Sequence, residues 1–176
     1  MAKTVGNWKI TSPEIGIQRI AEVSTVQNLP FGTVVRARDY GSTAYGEGEF
    51  MYVKGVASGA LRDWVGIRAK AGLTTRATAS GVYELLGVLC GTLDATTKFG
   101  WAQIAGRCVG NVKTQFADNA AVYLTSTAGS MDDASVAGDF ILGATGRNGG
   151  TVTVGDLAGE FEINRPHTIR RTAPAG

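Results

Sequence analysis

One short phrase occurs twice in this chain. The first copy is Phe50-Met51-Tyr52-Val53-Lys54-Gly55-Val56-Ala57 and the second is Trp101-Ala102-Gln103-Ile104-Ala105-Gly106-Arg107-Cys108. Each sets an aromatic, a β-branched residue three on, a glycine two further and a small residue two after that. Each also leads into a second strand-like stretch, Asp63-Trp64-Val65 after the first and Ala121-Val122-Tyr123-Leu124 after the second. Alternating apolar residues punctuated by glycine read as strand, turn and strand. The phrase carries no catalytic group, so the most regular feature of the chain predicts a β-rich building element.

Composition supports that reading. Of 176 residues 25 are glycine, and charged residues make up 18%, below the roughly 25% of an ordinary soluble domain. Such a chain owes its solubility to hydroxyls and backbone, which suits strands and loops better than surface helices. Its length fits one domain. The net charge of +2 is small and the basic residues are dispersed apart from Arg165, Arg170 and Arg171, so no nucleic-acid partner is expected.

Cys90 and Cys108 have no CxxC spacing and no paired histidine, and read as two buried thiols rather than a disulfide. Lys3 is not followed by an apolar h-region, so no secretory signal is expected. No run approaches the ~18 apolar residues of a membrane helix. These features predict synthesis and folding in a reducing cytoplasm, away from membranes.

Residues 1–16 mix Val5, Trp8 and Ile10 with glycine, proline and polar residues. They read as an extended N-terminal arm whose Trp8 and Ile10 need something to pack on. Ile17, Ile20, Val23 and Val26 recur every three residues, which fits a short helical turn or an irregular strand. Phe31–Arg38 reads as a strand with Val35 and Ala37 opposite Arg36 and Arg38, and 39–49 as a Gly/Ser/Thr loop. Strands follow at 49–56, 62–68, 82–90, 98–109, 120–124, 139–142 and 159–164, with Phe116-Ala117-Asp118-Asn119 as a turn. The run 82–90 is nearly all apolar, as for a strand covered on both faces. Strands about every ten residues predict an all-β sandwich or barrel. The body spans 17–165, and 166–176 forms a basic C-terminal tail.

Catalytic sets are not evident. His167 is the single histidine and lies in the predicted tail, so a His-dependent mechanism is not expected. No G-x-S-x-G or S-x-x-K occurs. Glu47 with Glu49, and Asp132-Asp133 near Asp139, read as solvated acids on loops rather than a glycosidase pair or a calcium site. The segment Gly143–Gly150 lacks the GK[ST] ending of a phosphate cradle and reads as a hairpin loop. Trp64 and Trp101 sit among aliphatics, which points to core packing. Trp8 is the apolar residue expected to be covered by a partner. No enzyme activity, cofactor or metal is expected.

With the strands laid out, Phe31 to Ile163 resembles the small capsid decoration, or cement, proteins encoded beside the major capsid protein in tailed bacteriophages. The resemblance rests on Gly48-Glu49-Phe50-Met51-Tyr52-Val53-Lys54-Gly55-Val56-Ala57, Arg62-Asp63-Trp64-Val65 and Gly100-Trp101-Ala102-Gln103-Ile104-Ala105-Gly106. It extends through Phe116-Ala117-Asp118-Asn119-Ala120-Ala121-Val122-Tyr123-Leu124-Thr125-Ser126-Thr127-Ala128-Gly129. Arg62 stands where that group tends to have glycine. The resemblance implies a virion protein on the outer capsid surface, made in the bacterial host cytoplasm. Its partners would be the major capsid protein and copies of itself, as a homotrimer or alternatively a dimer. Trp8 and Ile10 would be apolar anchors of the arm, and Arg165, Arg170 and Arg171 would meet acidic surface. The competing expectation is a β-sandwich carbohydrate- or receptor-binding module of a phage tail or fibre, using Asp39, Tyr40 and Tyr45.

Overall fold

The computed structural model describes residues 6–11, 17–41, 45–79, 81–134, 140–152 and 157–168. The chain is all-β, with a large antiparallel sheet that does not close, so the architecture is sandwich-like rather than a barrel. The strands are Trp8–Ile10 (β1), Val34–Asp39 (β2), Glu47–Lys54 (β3), Trp64–Arg68 (β4), Leu73–Arg76 (β5), Leu86–Leu89 (β6), Phe99–Asn111 (β7), Ala121–Leu124 (β8), Met131–Asp132 (β9), Phe140–Gly146 (β10) and Ala158–Thr168 (β11). The main path runs β1-β2-β3-β7-β11-β10-β8-β9.

The spine is β7, and the two copies of the repeated phrase lie side by side upon it. Phe50 pairs with Gln103, Met51 with Ala102 and Tyr52 with Trp101 in the antiparallel β3–β7 ladder. The other edge of β7 is divided between two neighbours. Its N-terminal half pairs with β6 through Val88↔Gln103 and Leu89↔Ala102, and its C-terminal half with β11 through Ala105 to Asn111. At that fork β6 leads away through β4 to β5, and this short ribbon covers one face of the main sheet.

Three main apolar clusters result. Trp64, Leu86, Phe116, Phe161 and their neighbours fill the space between the ribbon and β7, β8, β10 and β11. Met51, Val53, Val65, Ile67, Leu89 and Ile104 pack where the ribbon crosses β3 and β7. On the opposite face Val35, Ala37, Phe50, Tyr52 and Trp101 are covered by Ile17, Ile20, Leu29 and Phe31. Residues 17–31 thus form a lid that is neither helix nor regular strand. Ser24 bridges Phe99, and the side chain of Gln18 donates to the carbonyls of Glu22 (2.7 Å) and Phe99 (3.2 Å).

The glycines of the repeated phrase serve two different needs. Gly106 has φ +93° and lies where a Cβ would stand 2.3 Å from the Glu47 carbonyl oxygen. It follows the bulge at Ile104, where the β3–β7 register slips by one residue. Gly55 instead admits the carbonyl of Ala95, 2.4 Å from where a Cβ would sit.

Several expectations change. Within the expected extended N-terminal arm, Trp8–Ile10 is a strand of the sheet, because its backbone bonds β2 and its inward side chains meet the body. β11 runs to Thr168, past the expected boundary at 165. Pro166 is tolerated because β7 pairing has ended at Asn164, and a bulge opposite Gly143 carries Arg165 at φ +45°. Only 86–89 of the expected 82–90 strand forms. Val82 is 58% exposed, and Tyr83 turns its ring onto Gly66 and Gly81.

Candidate functional site

Of the expected site residues, Trp8, Ile10 and Arg165 fall at one end of the main sheet but on opposite faces. β2 alternates between exposed Val34, Arg36 and Arg38 and buried Val35, Ala37 and Asp39. β1 takes its facing from this alternation, with Trp8 opposite Asp39, Lys9 opposite Arg38 and Ile10 opposite Ala37. Trp8 and Ile10 therefore point toward the core side, and Lys9 points outward with Arg38.

Trp8 finds its cover within its own chain. Its ring meets Phe50 edge-on at 5.0 Å and stacks on Tyr45 at 6.5 Å. It remains half-buried, as does Ile10, and beside them opens a groove walled by Ile10, Ile17, Arg19 and Ile20.

The ladder also sets the free edge. Thr11 N–H donates to the Arg36 carbonyl and Tyr40 N–H to the Asn7 carbonyl, each within 3.0 Å. Residues 7, 9 and 11 thus bond β2, and the N–H and C=O groups of Trp8 and Ile10 point away from it. No described residue bonds them.

Outward, Lys9 and Arg38 face each other across the β1–β2 ladder. The Tyr40 ring lies between them, 5.2 Å from Lys9 Nζ and 5.9 Å from Arg38 Cζ. Tyr40 is 57% exposed. Glu47 is the cross-strand neighbour of Arg38 on the other side, but no ion pair joins Glu47 to it among the described residues.

Arg165 is already engaged. Its guanidinium donates to Glu49 Oε2 at 2.7 Å, while Arg36 Nε holds Glu49 Oε1 at 3.3 Å. Two cations from β11 and β2 share one carboxylate on β3. Arg170 and Arg171 lie outside the described residues. Of the carbohydrate-site candidates, Tyr45 and Asp39 are buried. Asp39 accepts from the Tyr45 and Gly41 backbone N–H groups, at 2.9 and 2.8 Å, and so shapes the loop. Only Tyr40 is available to solvent.

Several other polar groups have structural partners, whereas the buried Trp64 Nε1 has none among the described residues. Asp133 accepts from Ala117 N–H at 2.8 Å, and Asn148 accepts from Glu160 N–H. His167 lies in β11 with Nδ1 3.2 Å from the Arg165 carbonyl. Asp63 is buried and accepts from Arg76 (2.7 Å), Asn111 (2.9 Å) and the Ala60 N–H (2.9 Å). Arg76 also donates to the Ala128 carbonyl. This network fastens β4, β5, β7 and the loop after β8, and its members are too far apart in sequence to form a motif.

Cys90 and Cys108 are free, buried thiols that wall one cavity of about 20 Å³, the size of a single water. Burial pushes the Cys90 thiol up to about 12 and the Cys108 thiol well above the ordinary value. Among the described residues no group of three or more His, Cys, Asp or Glu is placed to hold a metal ion. No described helix is long and apolar enough to cross a membrane.

No protein-family model, no curated protein and no solved structure matches this chain.

Proposed function

We propose that this chain is a head-decoration protein of a tailed bacteriophage, which binds the outer surface of the expanded shell and bridges major capsid protein subunits. The observation that carries the reading is the backbone at Arg62. The resembled group tends to have glycine there, ahead of Asp-Trp-Val. Arg62 holds φ +71°, the left-handed conformation that glycine adopts without steric cost. The motif therefore sits on the backbone geometry that its glycine would suit.

The other shared phrases fall on β3, on the spine β7 and on β8, which lies beyond β11 and β10 in the same sheet. In this reading the body is the constant element and the contacts lie at its margins. The edge around Ile10 and the cations Arg165, Arg170 and Arg171 face the shell, and Trp8 braces that edge. The protein works as a homotrimer, with a dimer as the alternative. Repetition on a lattice lets each weak contact count many times.

Cosedimentation of the full chain with expanded and unexpanded shells of the phage that encodes it tests the proposal. Saturable binding to expanded shells alone is expected. Equal binding to both, or to neither, overturns it. A carbohydrate- or receptor-binding module retains one exposed candidate, Tyr40, and glycan-array binding lost in Tyr40→Ala would favour that reading instead.

A further inference from the structure

We propose that the outer edge of β1 is a docking site for an extended acidic segment of another protein, which adds to the sheet as one more strand. The proposal concerns this edge alone and does not depend on the capsid reading.

Three independent features meet there. The first is the backbone, since Trp8 and Ile10 offer N–H and C=O groups to the open side with no described partner. A bare edge is a template for strand addition unless something blocks it. The second is the groove at Ile10, Ile17 and Ile20, on the inward face of the same edge. It can receive alternate apolar side chains of an added strand. The third is the charge on the outward face, where Lys9 and Arg38 stand directly opposite each other. Like charges so placed destabilise a ladder, and the Tyr40 ring between them offsets only part of that.

Together these features select the occupant. An added strand with carboxylates on one face and aliphatics on the other satisfies the edge, the groove and the cations at once. A second copy of this chain pairing β1 against β1 about Lys9 fits poorly. Its two-fold would place Lys9 opposite Lys9 and widen the row of like charges.

The test uses the full chain and two synthetic peptides, an alternating Glu-Val heptamer and its Lys-Val counterpart. Amide hydrogen exchange and titration by NMR read the contact residue by residue. The acidic peptide is expected to slow exchange at the Trp8 and Ile10 amides and to shift Lys9, with affinity falling as salt rises. The basic peptide is expected to bind at least about tenfold more weakly. In the Lys9→Glu/Arg38→Glu variant that preference should reverse. The reversal also shows that the variant is folded, and its dispersed NMR spectrum checks this separately. The proposal is overturned if saturating acidic peptide leaves the Trp8 and Ile10 amides unprotected. It is overturned equally if both peptides bind alike, or if sedimentation shows a dimer whose Trp8 and Ile10 amides are protected without peptide.

Discussion

Tyr52 and Trp101 face each other across the β3–β7 ladder, ring edge to ring face, with 5.2 Å between centroids and 71° between planes. Both are also tied to Gln18. Trp101 Nε1 donates to its carbonyl at 3.0 Å and Tyr52 Oη to its side-chain oxygen at 3.2 Å. The point where the two repeated phrases touch is therefore also where the irregular lid over 17–31 is fastened.

Removing one hydroxyl tests that fastening. Tyr52→Phe keeps the ring but leaves the Asn28 N–H, which donates to Tyr52 Oη at 3.1 Å, without its acceptor. A loss of about 1–3 kcal/mol is expected. Urea unfolding should show a lower midpoint with an unchanged m-value, and exchange should quicken first in 17–31.

The buried acid is a larger stake. Asp63 is 2% exposed and bonds Arg76, Asn111 and Ala60. Asp63→Ala leaves a guanidinium without its counter-charge and should cost about 3–5 kcal/mol. Arg76→Met added to that variant should then cost little, since the shared interaction is already gone. A double-mutant cycle by denaturation measures the coupling.

Glycine at the fork of the sheet is not replaceable. Gly106→Ala must place a methyl group 2.3 Å from the Glu47 carbonyl at φ +93°. A destabilisation of about 2–4 kcal/mol is expected from strain and overpacking together. Gly149→Ala, at φ +66° with nothing within 4 Å of its Cβ position, should cost only about 1 kcal/mol. Thermal melts of the two variants give the comparison.

The thiols set an alkaline limit. Cys90 holds its proton to about 12 in the folded chain, against an ordinary 9.0. Above pH 9 the unfolded state therefore releases a proton that the folded state keeps. Stability from this group is complete below about pH 9 and falls as pH rises toward 12, by about 1.4 kcal/mol per unit. Cys108 adds to the same trend. Cys90→Ala should flatten the slope, read from unfolding midpoints between pH 8 and 11. Alkylation of both thiols in the native protein should be slow and should become rapid on unfolding.

Much of this architecture was legible in the sequence because it is written in alternation. Val34–Asp39 declares its faces, and the repeated phrase marks β3 and β7. Trp8–Ile10 escaped because three residues flanked by polar ones show no period, and only pairing with β2 makes them a strand. Pro166 signalled an end to the last strand, yet it sits at a bulge where no ladder donor is needed. The strand expected over 82–90 is longer than the one that forms because the run is nearly all apolar, whereas Tyr83 covers Gly66. In the candidate site, Trp8, Ile10 and Arg165 are visible in the sequence as isolated apolar and basic residues, but what they touch is not. Nor is the pairing of Lys9 with Arg38, since it joins residues far apart in sequence through a register that the sequence does not state.

The division of one edge of β7 between β6 and β11 has a consequence for biogenesis. As the chain leaves the ribosome, β3 and β6 are present by the time β7 emerges. The C-terminal half of β7 must wait for the last described strand. Throughout that interval Gly106 to Asn111 presents an unclaimed strand edge beside apolar Phe161-facing pockets that are still empty. Chains stalled or cut short before 158 should accordingly be prone to aggregation rather than merely less stable. Synthesis of β11 is thus the step that closes this edge of β7.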